Sequence, residues 1–173
     1  MELRLKHSTL RPWRANDAAA LVKHANNRKV WRNLRDAFPH PYTLANAHAW
    51  LAAAAIMDPL RFFAIEIDGE AVGGIGIGPL EDVYSRSGEI GYWLAEPYWN
   101  RGIVSEAARA ITEYAFGPLD LVRVQTGIFA WNSASMRVLE KCGYVREGVQ
   151  KRAVFKDGEF ADCVLYARLR PER

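Results

Sequence analysis

The sequence predicts a single domain of mixed α/β or α+β class with an antiparallel meander near its centre. Three observations carry that prediction. The 173 residues are 50% hydrophobic and 25% charged, the proportions of an ordinary globular chain long enough to bury one core. Stretches of period-two and of helical hydrophobicity alternate along it. No Pro/Gly/Ser-rich linker and no internal repeat interrupts residues 1–173. Disordered, collagenous and coiled-coil classes are excluded on composition.

The elements follow in order. The alternating stretch from Leu3 to Trp13 predicts a first strand. Asn16 and Asp17 then offer a helix cap ahead of Ala18, Leu21, Val22 and Ala25, spaced i, i+3, i+4, i+7. Periodicity fails between Arg28 and Tyr42, an aromatic, proline-broken segment. Thr43 caps a second helix with Ala47, Trp50, Leu51 and Ala54 inward. Phe62–Ile67, the Asp68-Gly69 turn and Ala71–Ile77 make a hairpin. Glu89–Leu94 is a further strand closed by Pro97. Val104, Ala107, Ala108, Ile111 and Ala115 mark a long helix. Leu121–Phe129 is a strand, and Ser133–Cys142 a helix stopped by Gly143. A second hairpin turns at Asp157-Gly158, and its last strand runs from Asp162 to Leu169.

Charge and composition narrow the function. A net charge of +3 without a block of like charges calls for no nucleic-acid or membrane partner. The N-terminus lacks an apolar signal region, and the longest apolar run, Ala49–Met57, is too short to span a bilayer. Cys142 and Cys163 lie outside any C-x-x-C spacing and read as small hydrophobes of a reduced, cytoplasmic compartment. His7, His24, His40 and His48 show no metal spacing, although His24 and His40 have the freedom to approach in space; no metal is expected.

Chemistry concentrates in Glu89-Ile-Gly-Tyr-Trp-Leu-Ala-Glu-Pro-Tyr-Trp-Asn-Arg-Gly-Ile-Val-Ser-Glu. A strand ends, a turn carries Asn100, Arg101 and Gly102, and a helix starts at once. The first amides of a helix have no internal partner and sit at the positive end of its dipole. Such a terminus suits an anion, a pyrophosphate included, and Arg101 adds a full charge. A plain strand-turn-helix with a packing glycine reads equally well from these residues alone. Gly73-Gly-Ile-Gly-Ile-Gly78 misses nucleotide-loop spacing and reads as a closely packed strand. Ser135 shares a helix face with Val138, Leu139 and Cys142, so a hydroxyl lies on an apolar stripe; Asn132 stands where a cap would.

Together these segments resemble the GNAT superfamily of N-acetyltransferases, nearest the RimJ/RimL-like branch that acetylates ribosomal-protein N-termini. Tyr98-Trp-Asn-Arg-Gly-Ile-Val-Ser-Glu-Ala resembles the acyl-CoA pyrophosphate loop, and Asn132-Ser-Ala-Ser-Met-Arg-Val-Leu-Glu-Lys-Cys-Gly-Tyr144 the second cofactor motif. Leu10-Arg-Pro-Trp and Lys156-Asp-Gly-Glu-Phe-Ala-Asp-Cys-Val-Leu-Tyr166 resemble the ribosomal branch. The likeness implies a GNAT fold: a mostly antiparallel mixed sheet splayed between the strands at 89–94 and 121–129, with helices on both faces.

It also implies a site. Acetyl-CoA would be the acyl donor, with the Tyr92, Trp93 and Leu94 backbone pairing with its pantetheine arm. Amides of Asn100, Arg101, Gly102, Ile103, Val104 and Ser105 would hold the pyrophosphate, with Asn132 and Ser135 along the pantetheine and thiol. Three positions depart from the pattern. Trp99 stands where many members have Gln or Arg, Val104 where Gly or Ala is usual, and Leu139 where many carry the tyrosine that protonates the leaving thiolate.

Amine attack on a thioester needs a proton acceptor and an oxyanion donor. Glu89 is the expected base, acting through water, unless it is a surface carboxylate or a partner of Arg86. A backbone amide near Leu94 is the expected oxyanion donor. Ser135 is the group left to assist the thiolate. Trp31, Phe38 and Tyr42 are expected to wall the acceptor, while Phe62 and Tyr144 read as packing. The function expected is direct acetyl transfer in a ternary complex to a primary amine, either a protein or peptide N-terminus or a small molecule, by a monomer or homodimer. The alternatives are an idle acyl-CoA-binding sensor or scaffold and, more distantly, another acyl donor.

Overall fold

A computed structural model describes residues 2–172. Two short strands, β1 (Leu3–Arg4) and β2 (Thr9–Pro12), replace the one strand expected from Leu3 to Trp13. They pair antiparallel, Leu3 opposite Leu10, across a turn in which the Leu5 amide donates to the Ser8 carbonyl at 2.8 Å. A reversal without Gly, Pro or Asn-Gly leaves a period-two pattern unbroken, so alternation alone misses it.

Asp17 departs from its expected role as well. It precedes helix α1 (Ala18–Ala25), but its carboxylate accepts from the Arg14 amide at 2.8 Å and from both terminal nitrogens of Arg11, each at 2.8 Å. Arg11 also donates through Nε to Glu66. The guanidinium is 1% exposed and Asp17 6%, so this charged fork lies inside the fold. The Asp17 hydrogen bonds, then Glu66, raise the Arg11 pKa against the lowering effect of burial. A bidentate charged donor holds a carboxylate more firmly than a neutral helix amide does. Loss of Arg11 would strand Asp17 at a cost of roughly 3–5 kcal/mol.

One helical turn, α2 (Arg28–Trp31), opens the aperiodic segment and is capped by Asn27, which accepts from the Lys29 amide. Helix α3 (Leu44–Ala55) starts as expected at Thr43, in a reciprocal box with Asn46. Strands β3 (Phe62–Ile67) and β4 (Glu70–Pro79) meet at Asp68 (φ 50°) and Gly69 (φ 83°), a two-residue turn with both φ positive. The glycine-rich β4 is close-packed: a Cβ at Gly76 would lie 2.3 Å from the Phe62 ring and one at Gly73 2.5 Å from the Trp93 carbonyl. Then come β5 (Ser87–Leu94), α4 (Ile103–Phe116), β6 (Arg123–Phe129), α5 (Ser133–Lys141), β7 (Val145–Lys156) and β8 (Glu159–Leu169). β8 begins three residues before the expected Asp162, because the Asp157-Gly158 turn is tight and pairing starts at Lys156 opposite Glu159.

The strands form one eight-stranded sheet in the order β1-β2-β3-β4-β5-β6-β8-β7. β5 and β6 run parallel, registered over Ser87–Glu89 against Arg123–Gln125. The chain groups into two compact units, one up to Gly76 plus Tyr92–Ala107, the other Ile77–Gly91 plus Ala108 onward. In the first, α1 and α3 bury Leu21, Ala25, Ala47, Leu51 and Ala54 with Trp13, Tyr42 and Ala64. In the second, Ile111, Val124, Leu139, Tyr144, Val164 and Tyr166 are buried. Among the described residues, no helix is long and apolar enough to cross a membrane.

Candidate active site

In the first unit the strand-turn-helix is built around one tight turn. Leu94 ends β5, residues Glu96–Tyr98 form a single 3-10 turn, and α4 begins at Ile103. The 3-10 turn is held from outside: Glu96 accepts from Asn27 Nδ2 at 2.9 Å and from Lys29 Nζ. That lysine hydrogen bond, seconded by Asn27, keeps the Glu96 carboxylate below its ordinary pKa. Asn100 (φ 61°) and Gly102 (φ 78°) both adopt the left-handed region, which turns the chain sharply into α4. A Cβ at Gly102 would meet nothing within 4 Å, so the turn opens to space. The first backbone bond across this junction runs from the Glu106 amide to the Gly102 carbonyl, 3.1 Å.

Charge is added at the same place. The exposed Arg101 guanidinium lies 5.4 Å from the centroid of the Tyr98 ring. Tyr98 in turn meets the His24 ring edge-on at 6.2 Å. Buried His24 reaches Glu70 at 3.2 Å through Nε2, though not at hydrogen-bonding angle. Ile103 and Ser105 are buried beneath the turn. A helix start, a turn shaped by Asn100 and Gly102, and one cation make the kind of place that suits a pyrophosphate.

The residues expected to wall an acceptor also lie in this unit. Phe38 packs on Tyr42 (5.1 Å between centroids) and on Trp93 (5.6 Å), linking the aperiodic segment to the strand at 92–94. Tyr42 is only 5% exposed and belongs to the core, and burial raises its pKa. Trp31 stacks on His40 at 5.5 Å. His24 and His40 therefore have different neighbours. Phe62 packs edge-on against Trp50 at 5.6 Å.

The second unit carries the other expected residues. Glu89 is half-buried on β5, opposite Gln125 of β6. Arg86, its alternative partner, is paired with Asp120 at 2.9 Å. Asn132 caps α5, its Oδ1 accepting from the Ser135 amide at 3.2 Å, which ties these two residues together. Ser135 is 7% exposed and Leu139 fully buried. Cys142 is buried, and desolvation pushes its thiol pKa up. Tyr144 is 3% exposed and bonded to Thr112 Oγ1 at 2.7 Å; burial pushes its pKa up to about 12.

Two features of the site escape sequence reasoning. The Trp99 indole Nε1 donates to the Leu94 carbonyl at 2.7 Å, bracing the end of β5. Glu106, in the first turn of α4, pairs with His7, whose Nδ1 lies 2.8 Å away and whose amide lies 3.2 Å away. Trp99 was visible as a departure from the motif, but nothing in a sequence shows where its indole points.

Known proteins resemble this chain in sequence and in fold. A family model described as an acetyltransferase (GNAT) domain matches residues 7–145. The chain is 30% identical over 146 residues to the SPbeta prophage-derived N-acetyltransferase YokL of Bacillus subtilis strain 168, covering 83% of this chain and 80% of that one. It is 31% identical over 109 residues to the ribosomal-protein-serine acetyltransferase of Escherichia coli strain K12, covering 63% and 60% respectively. The structure of Mycobacterium smegmatis RimJ in complex with CoA-disulfide is similar at a TM-score of 0.82, with 28% identity, over 94% of this chain and 81% of that one.

Proposed function

Since the chain belongs to the GNAT acetyltransferase family and is an acyl-CoA N-acyltransferase using acetyl-CoA, we propose that it passes the acetyl group directly to a primary amine within a ternary complex. The acceptor is a peptide or protein N-terminus or a small-molecule amine; the similarity to a ribosomal-protein-serine acetyltransferase supports the first.

The observation that carries the reading is the turn into α4, where two positive-φ residues flank Arg101 at the start of the helix. Asn100 to Ser105 hold the pyrophosphate on this reading. The Tyr92–Leu94 backbone takes the pantetheine as an added strand, and Asn132 and Ser135 lie along its thiol end. The amine must be neutral to attack, so Glu89 accepts its proton through water, and the Leu94 amide donates to the oxyanion. Ser135 assists the departing thiolate, a modest task because a CoA thiol leaves readily. Direct transfer is supported by Cys142: a buried thiol with a raised pKa is a poor nucleophile. A reduced, cytoplasmic setting is supported by two cysteines that form no disulfide among the described residues.

The test is thiol release from acetyl-CoA against N-terminal peptides and small amines, with both substrates varied. Intersecting initial-rate lines with one acceptor class support direct transfer. Parallel lines, or an acetylated enzyme detected by mass spectrometry, refute it. Acetyl-CoA binding without release from any acceptor would favour the idle sensor.

A further inference from the structure

Trp99 does more than pack. Along a strand, the amide and carbonyl of one residue point to one edge and those of the next residue to the other. The Trp93 carbonyl faces Gly73 of β4, where a Cβ would lie only 2.5 Å from its oxygen. The Ala95 amide also faces β4, donating to the Val72 carbonyl at 2.8 Å. The Leu94 carbonyl between them therefore lies on the opposite edge, together with that of Tyr92. This is the edge to which the cofactor arm is added under the function proposed above. The Trp99 indole donates to the Leu94 carbonyl at 2.7 Å, so the ring stands against this edge.

We infer that Trp99 is a positioning residue that ends the added strand at Leu94. The indole takes one lone pair of the Leu94 oxygen and fills the space in front of it, so a pantetheine amide is kept from this carbonyl by the ring. The arm is then held to the Tyr92 carbonyl as its last acceptor on this edge, and the acyl oxygen is left to the Leu94 amide. The same bond fixes the Leu94–Ala95 peptide plane against the 3-10 turn, which Glu96 anchors through Asn27 and Lys29. An indole is suited to this role because it donates and cannot accept, so it never competes for the amides of the edge. This inference rests on the proposed acetyl-CoA reading and adds to it the residue that sets the register.

Two variants test it. Trp99→Phe keeps a ring and removes the donor; Trp99→Gln restores a donor on a flexible arm. Trp99→Phe is expected to lower kcat by about tenfold or more, the lower side of what a misaimed oxyanion donor costs, while KM for acetyl-CoA changes less than threefold. Trp99→Gln should recover at least part of the kcat. A role in packing alone would instead lower the melting temperature of Trp99→Phe, leave kcat per folded molecule unchanged, and leave Gln no better than Phe. That pattern would overturn the inference. A second readout does not depend on turnover: the Trp99 indole proton, followed by NMR, should stay protected from solvent exchange both with and without acetyl-CoA. Loss of protection when acetyl-CoA binds would mean that the arm displaces the indole from Leu94, which also overturns it. Should the parent protein fail to bind acetyl-CoA at all, the proposed function itself falls, an outcome that calorimetry on the unmutated chain separates from the others.

Discussion

Replacing Tyr144 or Thr112 separates packing from chemistry in the helix pair α4–α5. Leu139 stands where the GNAT resemblance leads one to expect a tyrosine acid, and Tyr144, five residues on, is the next tyrosine in the chain. Its surroundings argue for packing. Thr112 Oγ1 has one proton and sits 2.6 Å from the Ala108 carbonyl, so it spends that proton there, and the Tyr144 hydroxyl at 2.7 Å must be the donor to Thr112. The two deletions are therefore unequal. Tyr144→Phe removes a donor and leaves Thr112 still bonded to Ala108, costing about 1 kcal/mol. Thr112→Val leaves a fully buried phenol hydroxyl with no acceptor, costing about 2 kcal/mol. In a chain of this length each kcal/mol moves the melting temperature by about 2–4 °C, giving roughly 3 °C and 6 °C. The double variant should be less damaged than the sum, since removing both partners leaves nothing unsatisfied. Thermal denaturation measures all three, and kcat per folded molecule should stay within twofold in Tyr144→Phe. A tenfold loss of kcat in that variant, or a larger stability loss than in Thr112→Val, would refute the reasoning.

The remaining predictions concern charge. Glu89→Gln should cut kcat by about 10²-fold or more while acetyl-CoA affinity, measured by calorimetry, is unchanged; equal turnover would remove Glu89 from the reaction. Arg101→Ala should weaken acetyl-CoA binding about fivefold, the equivalent of one ion pair at about 4 Å in high dielectric, with a larger loss at low salt; salt-independent, unchanged affinity would take Arg101 out of the pyrophosphate site. Burial raises the Tyr144, Tyr42, Tyr166 and Cys142 pKa values, Tyr144 to about 12. Above about pH 9–10 the unfolded chain loses these protons while the folded chain keeps them, so this stability is present below that range and lost as pH rises toward 12. Tyr144→Phe should shallow the alkaline fall in melting temperature, and an unaltered slope would contradict the assignment.

Much of the fold was legible because short-range rules decided it. Thr43 and Asn46 box the start of α3, Asp68-Gly69 and Asp157-Gly158 set two hairpins, and Gly143 at φ 80° ends α5. Failures came where a distant partner prevailed. Asp17 looks like a helix cap until Arg11, six residues earlier, enters the core with it. The strand at Leu3–Trp13 breaks at a turn made by polar residues that carry no turn signature. Within the candidate site, the sequence motif located the turn at 100–105, and Asn132 proved a true cap of Ser135. Where rings point was not legible: Trp31 stacks on His40, and Trp99 reaches back to Leu94. Those contacts join residues through rotamers and chain reversals that no periodicity encodes.

On the proposed function, the turn between β5 and α4 binds acetyl-CoA as the donor for amine acetylation. Isothermal titration of the intact chain with acetyl-CoA, repeated with Arg101→Ala, tests it most directly. Saturable binding at one site per chain is expected, weakened in the variant and more so at low salt. Absence of binding, or binding that Arg101→Ala leaves untouched at every salt concentration, would contradict it.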